Sequence, residues 1–429
     1  MNRKFLLIPV LLAAFTIPLV SQDFGFGDED ADTTTVSSGV PAVTISGEVS
    51  ASLLGYVDDF SGGLAETGLG DIFSGKLNFS AGNSFGDAVI KLKLSPISSP
   101  VTIDEAYLCA YFGVFEIEGG LRKLTWGKAD SFGPLDVINP LDYTEITDVS
   151  DTLNMKIARP LVHGTIRTGQ FSKLEAVFVP VFKPHSMASG GRWASVKMTA
   201  LPIPPVYPDT STLDYAQGGF RFTTTLGSSD LGVQYYFGRF PQPAFKVNIT
   251  PGGSAAVEAR YNPYHQIGVD YAGIIAGFNL RAEFAAHITS DLNGDDGAVY
   301  NPYLAWSIGF DRDLVWNINL NLQATESIRL LYGKISHNPL LDTEADTDMT
   351  ATQLTAILSK KFLRDELELR LATLWEIEAR DFFIMPGIIW TKDAVSVEFS
   401  GGIFGGDREG TFGQYRKNTF LKAGLTYSF

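Results

Sequence analysis

The residues of this chain that could do chemistry are few and scattered. Its five histidines, His163, His185, His265, His287 and His337, are nowhere spaced as a zinc-binding pair, and no nucleophile elbow or phosphate-binding loop occurs. His287 and the nearby Glu283 could form an acid–base pair, but with no placed nucleophile both are read as wall residues. Asp291-Leu292-Asn293-Gly294-Asp295-Asp296-Gly297 has the alternating oxygens of a calcium loop. Its glycine comes one position late and Pro302 stands where the bidentate glutamate belongs, so a plain loop tip is expected. Cys109 is the single cysteine, cannot form an intrachain disulfide, and reads as a small packing residue. We therefore expect no catalytic residue, no metal and no cofactor.

The densest grouping of functional side chains runs from Gly120 to Tyr143. Arg122, Lys123 and Lys128 lie near Asp130, Asp136 and Asp142, and opposed charges in a low-dielectric constriction act strongly on a passing ion. Gly133-Pro134 and Asn139-Pro140 fix turns that no strand or helix survives. The segment from Thr125 to about Asn154 far exceeds the usual connection of about 4–6 residues, and loops of that length are functional or disordered. Phe132, Leu135, Val137, Ile138 and Leu141 argue for a folded one. Trp126 is expected to pin it to a wall with its ring buried and its N–H bonded, and Asn139-Pro140 to stiffen it.

Such a loop needs a surface to fold against, and the rest of the chain offers one. Apolar and polar residues alternate over stretches of about 9–12 residues separated by turns, the period of β-strands. In Leu314 to Gln323, Leu314, Trp316, Ile318, Leu320 and Leu322 oppose Asn317, Asn319, Asn321 and Gln323. Phe278 to Ile288 sets Phe278, Leu280, Phe284 and Ile288 against Arg281, Glu283 and His287, and Leu367 to Trp375 sets its leucines against Glu366, Glu368 and Arg370. One face suits lipid and the other water. A soluble sandwich would also alternate, but its solvent side carries more charge, and here Trp316, Trp375, Tyr427 and Phe429 fall near strand ends like the aromatic girdles of membrane barrels.

Short turns, among them Gly82 to Gly86, Gly113-Val114, Gly169-Gln170, Gly227 to Asp230, Ala272-Gly273 and Lys392-Asp393, alternate with long loops such as Asp58 to Asp71, Pro184 to Leu213, Pro241 to Asn262 and Ser336 to Met349. The predicted fold is all-β, a transmembrane antiparallel up-and-down barrel with the loop from Thr125 folded into its lumen. The segment count comes out odd, the doubtful region being Pro302 to Ile335, where three candidates fit space for two or four, whereas termini on one side of the membrane demand an even number. The expectation is about 18 strands, roughly 16 or 20 being the alternatives.

Composition and the chain ends agree. Only 19% of residues are charged, Gly (43), Phe (30) and Tyr (16) are abundant, and a net charge of −15 argues against nucleic acid. Residues 1–22 read as a signal peptide, 23–40 as a flexible acidic periplasmic lead, and 41–429 as the barrel. The chain closes on alternating residues that place Tyr427 and Phe429 on the lipid face. Lys422, Gly424, Tyr427 and Phe429 resemble the C-terminal insertion signal of bacterial outer-membrane barrels, which implies the barrel assembly machinery as a partner and outer-membrane lipid as the surroundings.

A second resemblance lies in the central loop. Asp104-Glu105-Ala106-Tyr107, Gly120-Leu121-Arg122-Lys123, Trp126-Gly127-Lys128-Ala129-Asp130, Asp136-Val137-Ile138-Asn139-Pro140 and Asp142-Tyr143 resemble an uncharacterised, porin-like family of bacterial outer-membrane barrels. The chain departs from that pattern at Lys123 and after Tyr143, and the resemblance implies location and architecture without a substrate. The expected function is a porin-like channel for passive or weakly selective passage of small solutes, not an enzyme. The alternatives are a surface barrel acting as adhesin or assembly scaffold through its long loops and, third, a lipid-modifying enzyme.

Overall fold

The computed structural model describes residues 42–57, 73–95, 99–149, 152–195, 203–249 and 255–429. The signal peptide, the acidic lead and the loop Asp58 to Asp71 lie outside the described residues. Alternating sequence becomes strand, apart from the strand ends described below. In chain order the strands are β1 (Ala42–Tyr56), β2 (Phe73–Asn83), β3 (Gly86–Ser95), β4 (Ser99–Phe112), β5 (Phe115–Arg122), β6 (Asp142–Tyr143), β7 (Arg159–Arg167) and β8 (Ser172–Val179). Then come β9 (Ser186–Met187), β10 (Gln217–Leu226), β11 (Ser229–Arg239), β12 (Ala244–Ile249), β13 (Ala255–Arg260), β14 (Pro263–Ile275) and β15 (Phe278–Thr289). The last are β16 (Tyr303–Asp313), β17 (Ile318–Arg329), β18 (Thr350–Phe362), β19 (Leu367–Glu376), β20 (Asp381–Lys392), β21 (Val395–Gly406) and β22 (Phe420–Ser428).

Four of these, the β12–β13 hairpin and the short parallel pair β6–β9, belong to loops. The other 18 form one sheet in which each strand pairs antiparallel with the next. β22 pairs back onto β1, Glu48 opposite Ser428 through Tyr56 opposite Phe420, and the sheet closes into a barrel without an edge. The even count resolves the odd region, since β16 and β17 are the two strands between Pro302 and Ile335.

The phase of the wall follows the sequence. Phe284 is 43% exposed while Glu283, its neighbour, is 4% exposed, and the same alternation sets exposed Val233, Ile267, Leu371 and Leu425 on the outer face. Two strand ends differ from expectation. Val315–Asn317 is a turn with Trp316 and Asn317 at positive φ (62° and 55°), so β17 starts at Ile318 and Asn317 belongs to the short-turn end, not the lumen wall. Glu366 likewise sits in the Leu363–Glu366 turn, where Leu363, Arg364 and Asp365 take positive φ. The hairpin expected at Ala272-Gly273 turns instead at Ala276-Gly277 (φ 52° and 78°), because β14 runs on to Ile275 opposite Phe278.

Candidate functional site

The loop leaving β5 is knotted at its neck. Leu124 N–H donates to Asn139 Oδ1 (2.8 Å), and the Asn139 amide donates to Arg122 O (3.1 Å) and Ile157 O (2.9 Å), so one buried side chain ties the outgoing and returning chains together. Pro140 O accepts from Ile157 N–H at 2.8 Å. Asp136 pairs with Lys156 at 2.6 Å, and Lys156 also donates to Thr125 Oγ1. Arg159 donates to Ile138 O (2.9 Å) and Val181 O (2.6 Å). Lys123 reaches Asp104 at 2.8 Å, Arg122 pairs with Glu118, and Asp142 folds back on Thr144. These charges are consumed by structure.

Beyond the neck the loop is fastened along the inside of the wall. Trp126 is 2% exposed and meets Tyr236 edge-on with centroids 6.4 Å apart, as a pin should, but its indole N–H has no hydrogen-bond partner. Glu283, mid-strand on β15, accepts the backbone N–H groups of Lys128, Ala129 (2.7 Å) and Leu135 (3.2 Å). A carboxylate this close to backbone leaves no room for Cβ atoms. One built on Gly127, whose φ is +101°, would fall 2.4 Å from Glu283 Oε1, and one on Gly133 would fall 2.7 Å from Oε2. Gln323 on β17 accepts from Asp130 N–H (3.0 Å) and Ser131 N–H (3.1 Å) and donates to Phe132 O (3.0 Å). Asp130 itself takes Arg281 and Asn321, while Lys128 pairs with Asp230 at 3.2 Å.

A relay of amides completes the clamp. Arg221 donates to Gln234 Oε1 (2.6 Å) and pairs with Asp270 (2.7 Å). Gln234 donates to Leu135 O (2.9 Å) and Gln266 Oε1 (2.7 Å), and Gln266 donates to Pro134 O (2.8 Å) and to His287 Nε2 at 3.0 Å. As an acceptor at Nε2, the His287 ring carries its proton on Nδ1, and its face stacks on Tyr303 with centroids 4.1 Å apart. His287 is therefore engaged with Gln266 and Tyr303 and makes no acid–base pair with Glu283. The sequence puts Gln323 on the water-facing side of its strand without showing what it binds, and gives no sign of a role for Gln234 or Gln266. The only trace of the clamp is a glutamine on the polar face of each of three strands.

The loop then crosses the barrel. One hydrophobic cluster joins Trp126 and Ile138 to Leu161, Val179 and Tyr236, and a second joins Ile146, Val149 and Met155 to Leu374, Phe383, Phe404 and Phe420 on the other side. β6 pairs with β9 there, and Leu141 N–H donates to His185 Nδ1 at 2.8 Å. Burial without a compensating charge holds the His185 ring neutral, its pKa pushed down to about 4. A second wall carboxylate the sequence did not reveal, Asp381, holds the last loop by accepting Phe412 N–H (2.6 Å) and Gly413 N–H (2.9 Å).

This leaves cavities above and below the Ile146–Val149 rung on the face of β19. The upper, about 490 Å³, lies between Phe132 to Pro134, Tyr143, Gln353, Glu376, Phe412 and Tyr415. The lower, about 130 Å³, lies between Thr147, Asp148, Arg370, Glu398 and Lys422. Of the remaining expected wall residues, Asn319 bonds Asp313 (3.0 Å) and Glu368 faces Lys361 across the β18–β19 ladder. At the terminus Leu421, Leu425, Tyr427 and Phe429 are exposed outward, while Gly424 lies opposite Ser52 and Lys422 approaches Glu398 at 3.9 Å. Asp291 accepts the N–H groups of Asn293, Gly294 and Asp296, the pattern of a loop tip.

No protein-family model and no curated protein matches the chain. Among solved structures it is similar to Wzi of Escherichia coli, an outer membrane protein involved in group 1 capsule assembly and a carbohydrate-binding β-barrel. That match has 11% identity and a TM-score of 0.48, covering 90% of this chain and 84% of that one. It is also similar to the outer membrane channel DcaP of Acinetobacter baumannii (12%, TM-score 0.44, covering 92% and 99%) and to OmpT, an outer membrane protein of Vibrio cholerae (10%, TM-score 0.41, covering 92% and 99%).

Proposed function

We propose that this chain is a porin-like channel of the bacterial outer membrane. Small solutes pass, passively or with weak selectivity, through the part of the lumen its clamped loop leaves free. The observation that carries this reading is the fastening of the Trp126 to Leu135 segment to the inner wall by Glu283, Gln234, Gln266 and Gln323. Four wall strands spend buried polar side chains on holding one loop inside, an arrangement that narrows a pore too wide to select by itself. The apolar outer face supports a bilayer around the barrel, with the long loops facing outward. Recognition of the terminal strand by the barrel assembly machinery, and membership of the uncharacterised porin-like family, belong to the same proposal.

The crossing segment is the part to remove. Leu141 and Lys156 already face each other as an isolated antiparallel bridge, so residues 142–155 can be excised and the ends joined by a glycine-containing turn without touching the neck. Single-channel conductance in a planar bilayer should rise. Unchanged conductance through a correctly folded barrel would remove the constriction, and an electrically silent wild type would pass the function to the long loops.

A further inference from the structure

Resting on the channel reading but testable apart from conductance, we infer that the upper cavity binds a small organic cation with an apolar body. It lies above the Ile146–Val149 rung, on any path down β19, and its size suits a single-ring solute. Phe132, Tyr143, Phe412 and Tyr415 contribute rings to its lining, which holds no Lys, Arg or His. Its polar end is Glu376, which accepts from the Gln353 amide at 2.6 Å and has no ion-pair partner among the described residues. Asp381 lies directly opposite Glu376 in the β19–β20 ladder, so a second carboxylate adds to the negative potential there.

A cation gains from both features at once. Aromatic rings attract a cation through their quadrupole, and the carboxylate, which has no ion-pair partner among the described residues, supplies a charge in a partly water-excluded site. An anion meets repulsion from the same groups. The backbone that carries two of these rings is anchored: Asp381 accepts Phe412 N–H, and Gln323 and Glu283 hold the Phe132 to Leu135 turn. Below the rung the signs mix, Arg370 and Lys422 with Glu398 and Asp148, so sorting by charge is done in the upper cavity.

Calorimetric titration of the purified full-length barrel in detergent tests this, with benzyltrimethylammonium, benzyl alcohol and benzenesulfonate as probes. The ammonium probe should bind, more weakly as NaCl is raised, and the sulfonate should not. Glu376→Gln, which keeps an oxygen for Gln353, should weaken the ammonium probe by about tenfold or more. Glu366→Gln, the same charge change in a turn at the far end, should leave it alone. Equal binding of all three probes would mean an unselective apolar hollow and overturn the inference, as would an unaffected Glu376→Gln. Should that variant fail to fold, the probe comparison on the wild type decides. A conducting wild type that binds no ammonium probe sinks the cation site and leaves the channel standing.

Discussion

At the residue scale the molecule relies on buried wall groups that spend their hydrogen-bonding capacity on backbone. Glu283 takes three N–H groups on two oxygens. Glu283→Gln keeps one acceptor oxygen and points an NH₂ at a donor, leaving at least one buried N–H unpaired at a cost of about 1–3 kcal/mol. Hydrogen exchange followed by mass spectrometry should show faster exchange at Lys128, Ala129 and Leu135 with the β15 ladder unchanged. Protection equal to wild type would mean that Trp126 and the neck hold the loop without the carboxylate. Glu283 was legible as a wall residue, since its strand alternates cleanly, but its partners were not. Gln234, Gln266 and Gln323 are chemically ordinary on a wet face, and only the loop's arrival makes them specific. The sequence showed the charges of the loop but not their partners. Asp136, Lys123 and Arg122 are each ion-paired in the neck.

At the element scale, strand identity was legible and strand ends were not, because alternation continues through a turn built from residues of the same polarity. Asn317 kept the period while its backbone went to positive φ, which asparagine tolerates cheaply. This shifts the middle of β17 from Leu320 to Leu322. In the bilayer proposed for the barrel, Leu322→Arg should cost about 2–4 kcal/mol of folding free energy in lipid vesicles and Asn319→Arg little. Equal costs would invert the assignment of faces. The crossing loop has its own sensitivity. His185 accepts Leu141 N–H only while neutral, and its value near 4 lies below the ordinary one near 6.5. The released loop takes up the proton first, so this contribution is complete above pH 6.5 and is lost as pH falls toward 4. Exchange at Leu141 and Ser186 should quicken over that window. His185→Asn, whose Oδ1 can accept the same bond without titrating, should remove the effect. A pH response that persists in it would place the titrating group elsewhere.

At the scale of the whole molecule, closure of the barrel and the sorting proposed for it meet at one residue. Even parity was legible from the demand that both ends of the barrel lie on one side, and the structure meets it by pairing β22 with β1. Phe429 extends that seam. Its N–H donates to Gly47 O and its carbonyl accepts from Gly47 N–H, both at 2.9 Å, and a Cβ on Gly47 would fall 2.8 Å from its ring. The terminal aromatic could thus matter as a structural clasp or as the mark read by the assembly machinery, and deleting it would confound the two. Phe429→Ala separates them, because it keeps both backbone bonds and removes only the ring. If the ring is the mark, purified Phe429→Ala should refold into detergent or lipid with nearly wild-type yield, while in cells most of the chain should accumulate in the periplasm. Gly47→Ala, which forces a methyl against Lys76 O at 2.5 Å, should lower the yield in both settings because it strains the seam itself. Were Phe429→Ala to fail equally in the purified system and in the cell, the ring would be a clasp, and Lys422, Gly424 and Tyr427 would lose their role as part of a sorting mark.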